Sequence, residues 1–178
     1  MKYIIKKQNF LSERKFTKTF ENKSNVSPKL QAQSLNNFEL IQCIKKGYID
    51  TFLDIIESGN YNINFRTRDK YTPLITAVQY GEDIMAKKLI EKGAGLDLQT
   101  SDGRTALIES AFRSQMTGRN LDMIRTLIDN GADWTIRDMH NNCFLDFLSN
   151  EDQDKIIKEY PGKFEDFEIQ KNVNKYNL

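Results

Sequence analysis

The sequence predicts an all-α array of stacked helix pairs, and three observations predict it. Residues 69–100, DKYTPLITAVQYGEDIMAKKLIEKGAGLDLQT, hold one complete helix–turn–helix–turn unit. Imperfect copies flank that unit at a period near 33 residues. No apolar run approaches the roughly 18 residues that span a bilayer, so the helices are short and amphipathic. Helices this short cannot bury an apolar stripe alone, and one unit therefore demands neighbours.

In the central unit Thr72 is placed to N-cap the first helix, its hydroxyl accepting from a backbone N–H that has no helical partner. Pro73 follows at the first helical position, where a missing N–H costs nothing. Leu74, Ala77 and Val78 recur at i, i+3 and i+4 and give that helix one apolar stripe. Gly81 ends it, and Gly93 ends the second helix, whose expected stripe is Ile84, Met85, Leu89 and Ile90.

The copy before it begins at Phe38. Aligning Gly47 on Gly81 sets Leu40 on Leu74, Cys43 on Ala77, Ile44 on Val78 and Gly59 on Gly93. Phe38 stands in the capping slot, as suits a first repeat whose outer side has nothing to pack on. The copy after it starts at Asp102, with Thr105-Ala106-Leu107 parallel to Thr72-Pro73-Leu74 and Gly131-Ala132-Asp133 closing it. It is five residues longer, and the polar stretch 114–120 is the expected exposed loop between its helices. A degraded fourth copy sets His140, Cys143 and Leu145 on Asp69, Thr72 and Leu74. Ser149 or Asn150 then caps a last helix over 151–160, and the whole copy serves as a polar-faced C-terminal cap.

The expected organisation is a repeat domain over 36–162, with repeats at about 36–68, 69–101 and 102–137 and the cap at 138–162. Residues 1–35 form a basic leader, eight Lys or Arg against two acids, expected to be disordered or to hold a short helix around Phe10 to Phe20. Residues 163–178 are expected as a frayed tail. The body at 36–149 is slightly acidic, thirteen cations against sixteen anions. Cys43 and Cys143 lie far apart with no metal-ligand spacing, which favours a reducing, cytoplasmic setting.

The period, the Thr-Pro-Leu-x-x-Ala helix start at Thr72, the glycine between helices and the Gly93-Ala94 and Gly131-Ala132-Asp133 turns resemble ankyrin repeats over about 36–160. The resemblance implies a solenoid whose helix pairs stack with projecting β-hairpin turns. One departure stands out. The histidine usual after Pro-Leu is Ile75 here and Ile108 in the next copy, so apolar packing is expected to replace a side chain that ties neighbouring turns.

Nothing in the sequence assembles catalytic chemistry. His140 has no Ser or Cys nucleophile and acid set beside it by any motif, Cys43 falls in a core slot and Cys143 in a capping slot. No phosphate-binding glycine loop or dinucleotide fingerprint occurs, so no enzyme activity, cofactor or metal is expected. Asp69, Asp102 and Asp138 recur near the turns and are expected to bond turn backbone. Trp134 shares the slot of Leu96 and is expected to be a partly buried structural residue.

The resemblance also implies a concave face, lined by the first helices and the turn tips. Carried over by register, its helix positions are Gln42, Lys45 and Lys46, then Thr76, Gln79 and Tyr80, then Glu109, Phe112 and Arg113. The tips are Arg66, Arg68, Lys70, Tyr71, Ser101, Arg104, Arg137 and Met139. Rich in Arg and Lys, with Tyr71, Tyr80 and Phe112 as candidate anchors, this set points to a protein-binding adaptor whose partner has an acidic surface. The alternative is a nucleic-acid-associated role, in which the leader and the same cations grip phosphates and affinity falls steeply with salt.

Overall fold

A computed structural model describes residues 28–118 and 121–165. The expectations for residues 1–27, including the helix around Phe10 to Phe20, and for residues 166–178 lie outside the described residues.

Seven α-helices are formed there: α1 (Pro28–Lys46), α2 (Ile49–Ser58), α3 (Pro73–Tyr80), α4 (Asp83–Glu91), α5 (Ala106–Thr117), α6 (Asp122–Asp129) and α7 (Asn150–Glu159), with a 3-10 turn at Phe144–Phe147 before α7. Helices α1, α3 and α5 and the 3-10 turn pack side by side in one row. Each of α2, α4 and α6 packs against the first helix of its own pair. The stripes meet in one core of Leu40, Ile44, Phe52, Leu74, Val78, Met85, Leu89, Leu107, Ile124, Leu127 and Phe144.

The caps form as the residue types dictate. The Thr72 hydroxyl accepts from Ile75 N at 3.2 Å, and Thr105 repeats this with Ile108 N at 3.3 Å. At the cap repeat Cys143 N instead donates to the Asp146 carboxylate at 2.8 Å, and Ser149 accepts from Asp152 N at 3.2 Å. In α4 the stripe is rotated from expectation. Met85, Ala86 and Leu89 are buried, whereas Ile84 is 68% exposed.

The turns project as tight hydrogen-bonded hairpins, and no strand is formed among the described residues. Thr67 N donates to Tyr71 O, Thr100 N to Arg104 O and Asp138 N to Asn142 O, at 3.0, 3.0 and 2.9 Å. Successive turns are joined through backbone. Ser101 N donates to Asp69 O at 3.1 Å and Met139 N to Asp102 O at 2.9 Å. Two side-chain ladders run beside these bonds. Asn64 Oδ1 accepts from Gly95 N and Asp97 Oδ1 from Asp133 N, both at 2.8 Å. Arg66 donates to Gln99 O, and Gln99 Nε2 donates to Arg137 O at 3.2 Å. Ile75 and Ile108 are buried in the core as expected, and these ladders supply polar ties between the turns.

The five-residue insertion departs from the expected loop. Gly118, at φ +59°, corresponds to Gly81, and four of the extra residues extend α5 to twelve residues where α3 has eight. Ser114 is buried on that extension, which holds it in helix. At the other end Phe164, within the segment expected as tail, is buried against Trp134, Phe144 and Tyr160, with ring centroids 5.0, 5.9 and 6.3 Å away. Helix α1 likewise reaches back to Pro28, into the segment expected as leader.

Candidate functional site

The first-helix face is built from equivalent positions of α1, α3 and α5. In the register set by Gly47 and Gly81, Lys45 and Lys46 align with Gln79 and Tyr80, and these with Phe112 and Arg113. Lys45 and Lys46 are exposed, as is Gln79, and Tyr80 is 46% exposed with the Lys45 ammonium 5.8 Å from its ring centroid.

Two positions expected to be exposed are not. Thr76 is 1% exposed, because its hydroxyl donates to Thr72 O at 2.8 Å and turns back into the first turn of α3. Glu109 is 4% exposed and forms the floor of a cluster. Its Oε2 lies 3.5 Å from Arg104 Nη1. Burial raises its carboxyl above the usual glutamate range, and the adjoining Arg104 and Arg113 charges offset that only in part.

Arg104 occupies the last position of the second turn. Its guanidinium sits 4.3 Å from the Phe112 centroid and 5.6 Å from that of Phe147, and the two rings meet edge to face at 5.8 Å. Tyr71 holds the same position one turn earlier, half-buried, its hydroxyl accepting from Gln79 Nε2 at 3.4 Å. Burial, with the Glu109 charge second, pushes the Tyr71 phenol up, so it keeps its proton to a still higher pH than an ordinary tyrosine.

Phe147 is the member of this cluster that the expected concave face does not include. The alignment of Cys143 on Thr72 already sets it in the Thr76 and Glu109 slot, and that was the available signal. Phe112 and Arg113 are half-buried rather than fully exposed. Arg113 reaches back to donate to Val78 O at 3.3 Å, over the C-terminal end of α3 and against Gly81. That contact makes it part of the stack.

The turn-tip residues divide from this cluster. Arg66, Lys70, Arg137 and Met139 line a separate polar cleft of about 520 Å³, together with Asp97, Gln99 and Asp138. Arg137 is held there by Asn141 O at 2.9 Å and the Asp146 carboxylate at 3.7 Å. Arg68 is exposed and lines neither group. Asp138 Oδ1 accepts from His140 N and Asn142 N, both at 2.9 Å, as expected of a turn residue. Asp69 and Asp102 serve the next turn through their backbone carbonyls instead. His140 is exposed, and Cys43 and Cys143 are buried and form no disulfide. Trp134 is half-buried in the aromatic group around Phe164.

Among the described residues no His, Cys, Asp and Glu cluster could hold a metal ion, and no helix is long and apolar enough to cross a membrane. A family profile described as ankyrin repeats (3 copies) matches residues 40–138. Similar proteins include Ankyrin repeat and SAM domain-containing protein 6 of Rattus norvegicus and of Mus musculus, each 24% identical over 123 residues. Each match covers 67% of this chain, which spans 13% of the length of those relatives.

Proposed function

Because the chain belongs to the ankyrin-repeat family, we propose that it is a non-enzymatic module that captures a protein partner on the face formed by α1, α3, α5 and their turns. One observation carries this reading. Lys45, Tyr80, Gln79, Tyr71, Arg104 and Phe112 come from three successive repeats and gather on one face as a mixed aromatic and polar surface. Such a mixture of Tyr, Phe and Arg is what a protein interface concentrates at its centre. The position of the chemically reactive side chains supports a non-enzymatic role, since both thiols are buried and His140 lies on an exposed turn. Two cysteines that form no disulfide also suit the reducing, cytoplasmic setting proposed for the chain.

The test compares affinity capture by the native chain, by Gln79→Ala with Tyr80→Ala, and by Lys87→Ala on α4 with Lys92→Ala at its C-cap. Loss of the same partner set from the first pair alone supports the assignment. Unchanged capture by that pair rejects it. The nucleic-acid alternative is the weaker reading, because Arg66, Arg113 and Arg137 each donate to a backbone carbonyl of the protein.

A further inference from the structure

The arginines of the chain differ in how much of their hydrogen-bonding capacity the protein uses. Arg125 spends its fork on Glu159, with Nε and Nη2 at 2.7 and 2.8 Å from the two carboxylate oxygens, and adds Asp122 at 3.2 Å. Arg104 does not. Its side chain is 25% exposed and, among the described residues, makes one long hydrogen bond, 3.5 Å from Nη1 to Glu109. A guanidinium carries five N–H donors, so among the described residues most of this fork has no protein acceptor. Phe112 and Phe147 meanwhile pack against it, their ring centroids 4.3 and 5.6 Å from its central carbon.

A planar, part-desolvated fork held by rings and left with unused donors has the form of a carboxylate receptor. Holding it in place beforehand removes the rotamer entropy a free arginine would lose on binding. Its surroundings add to this. The Tyr71 hydroxyl accepts from Gln79, which leaves its proton to donate. The nearest carboxylate, Glu109, is buried in the floor and contacts one edge of the guanidinium only. The exposed ammonium groups of Lys45 and Lys46 extend positive charge along the same face.

We infer that Arg104, oriented by Phe112 and Phe147 and helped by the Tyr71 hydroxyl, binds an Asp or Glu side chain of a partner's peptide segment lying across this face. The inference rests on the proposed protein-binding role and names the chemistry of its central contact. The carboxylate takes the free guanidinium donors in a two-pronged bond, and its neighbouring residues cover the Tyr80 and Phe112 rings.

Random peptides displayed on phage and selected on the full chain test it. The expected result is a single position enriched in Asp or Glu. In a selected peptide, changing that Glu to Gln then weakens binding to the native chain by about tenfold or more, measured by fluorescence anisotropy. With Arg104→Gln the same peptide change has little effect, the signature of a coupled pair. Arg104→Lys, which keeps charge and loses the fork, binds more weakly than native. Should Arg104→Gln melt prematurely, the comparison of Glu and Gln peptides on the native and Arg104→Lys chains carries the test. Binders with no acidic position, or a Glu-to-Gln penalty that persists without Arg104, overturn the inference while leaving the front-face capture result intact. Selection of no binder also overturns it. Displacement of the peptide by a short single-stranded DNA would overturn it in favour of phosphate recognition.

Discussion

Lys70 and Gly103 occupy the same position of successive turns, and both hold left-handed backbone, at φ +60° and +79°. The two sites nevertheless answer substitution in opposite ways. At Lys70 a side chain is tolerated against its preference, so Lys70→Gly is expected to raise stability by up to about 1 kcal/mol. At Gly103 a Cβ would meet Met139 N at 2.9 Å, in the backbone of the next turn. Gly103→Ala is therefore expected to cost at least about 1–2 kcal/mol from backbone strain, with the steric conflict added. Urea denaturation of both variants checks the pair.

Leu74 lies in the core where α3 packs on its neighbours, 1% exposed. Leu74→Ala is expected to lose about 2–5 kcal/mol through lost burial and the cavity left behind. A denaturation midpoint close to native would contradict the stacking described.

Arg113 and Arg68 are both cations of the expected binding surface, yet only Arg113 is anchored, through Val78 O at 3.3 Å. Arg113→Glu removes that bond and brings negative charge to the C-terminal end of α3, where the helix dipole disfavours it. A loss of about 1–2 kcal/mol is expected. Arg68→Glu, at an exposed site, should stay within about 0.5 kcal/mol of native. Parallel thermal melts separate the two, and the reversal of Arg113 is a poor probe of binding for this reason.

Glu109 gives the chain a pH dependence. Burial raises its carboxyl above the ordinary value of 4.5, so the folded chain holds this proton more firmly than the unfolded chain. Its favourable contribution is complete below that ordinary value and is lost as pH rises through the raised one. Glu109→Gln keeps an acceptor for Arg104 and abolishes the titration. Measured from mildly acidic pH upward, the native chain should lose stability relative to Glu109→Gln and then level off. A constant difference across that range would refute the assignment.

Local punctuation made most of the fold legible. Thr72, Pro73 and Gly81 cap and bound their own helix, so their roles can be read without knowing the neighbours. Ile84, Thr76 and Glu109 could not be placed in that way. Whether a helix position at the edge of a stripe faces core or solvent depends on how the next pair is rotated against it. The cluster around Arg104 shows the same limit. Phe112 could be placed on the face by register, but its contact with Phe147 joins two repeats across 35 residues of sequence. The insertion was countable from the glycines, while its form was not, because a polar stretch ending in Gly118 suits a loop or one further helical turn equally.

That further turn makes the row uneven. Four residues add about 6 Å to α5, ending at the exposed Met116 and at Gly118, whereas α3 beside it stops at Tyr80. A partner that reaches past the C-terminal ends of this row meets α5 where α3 has already stopped, so the added turn extends the row on one repeat only.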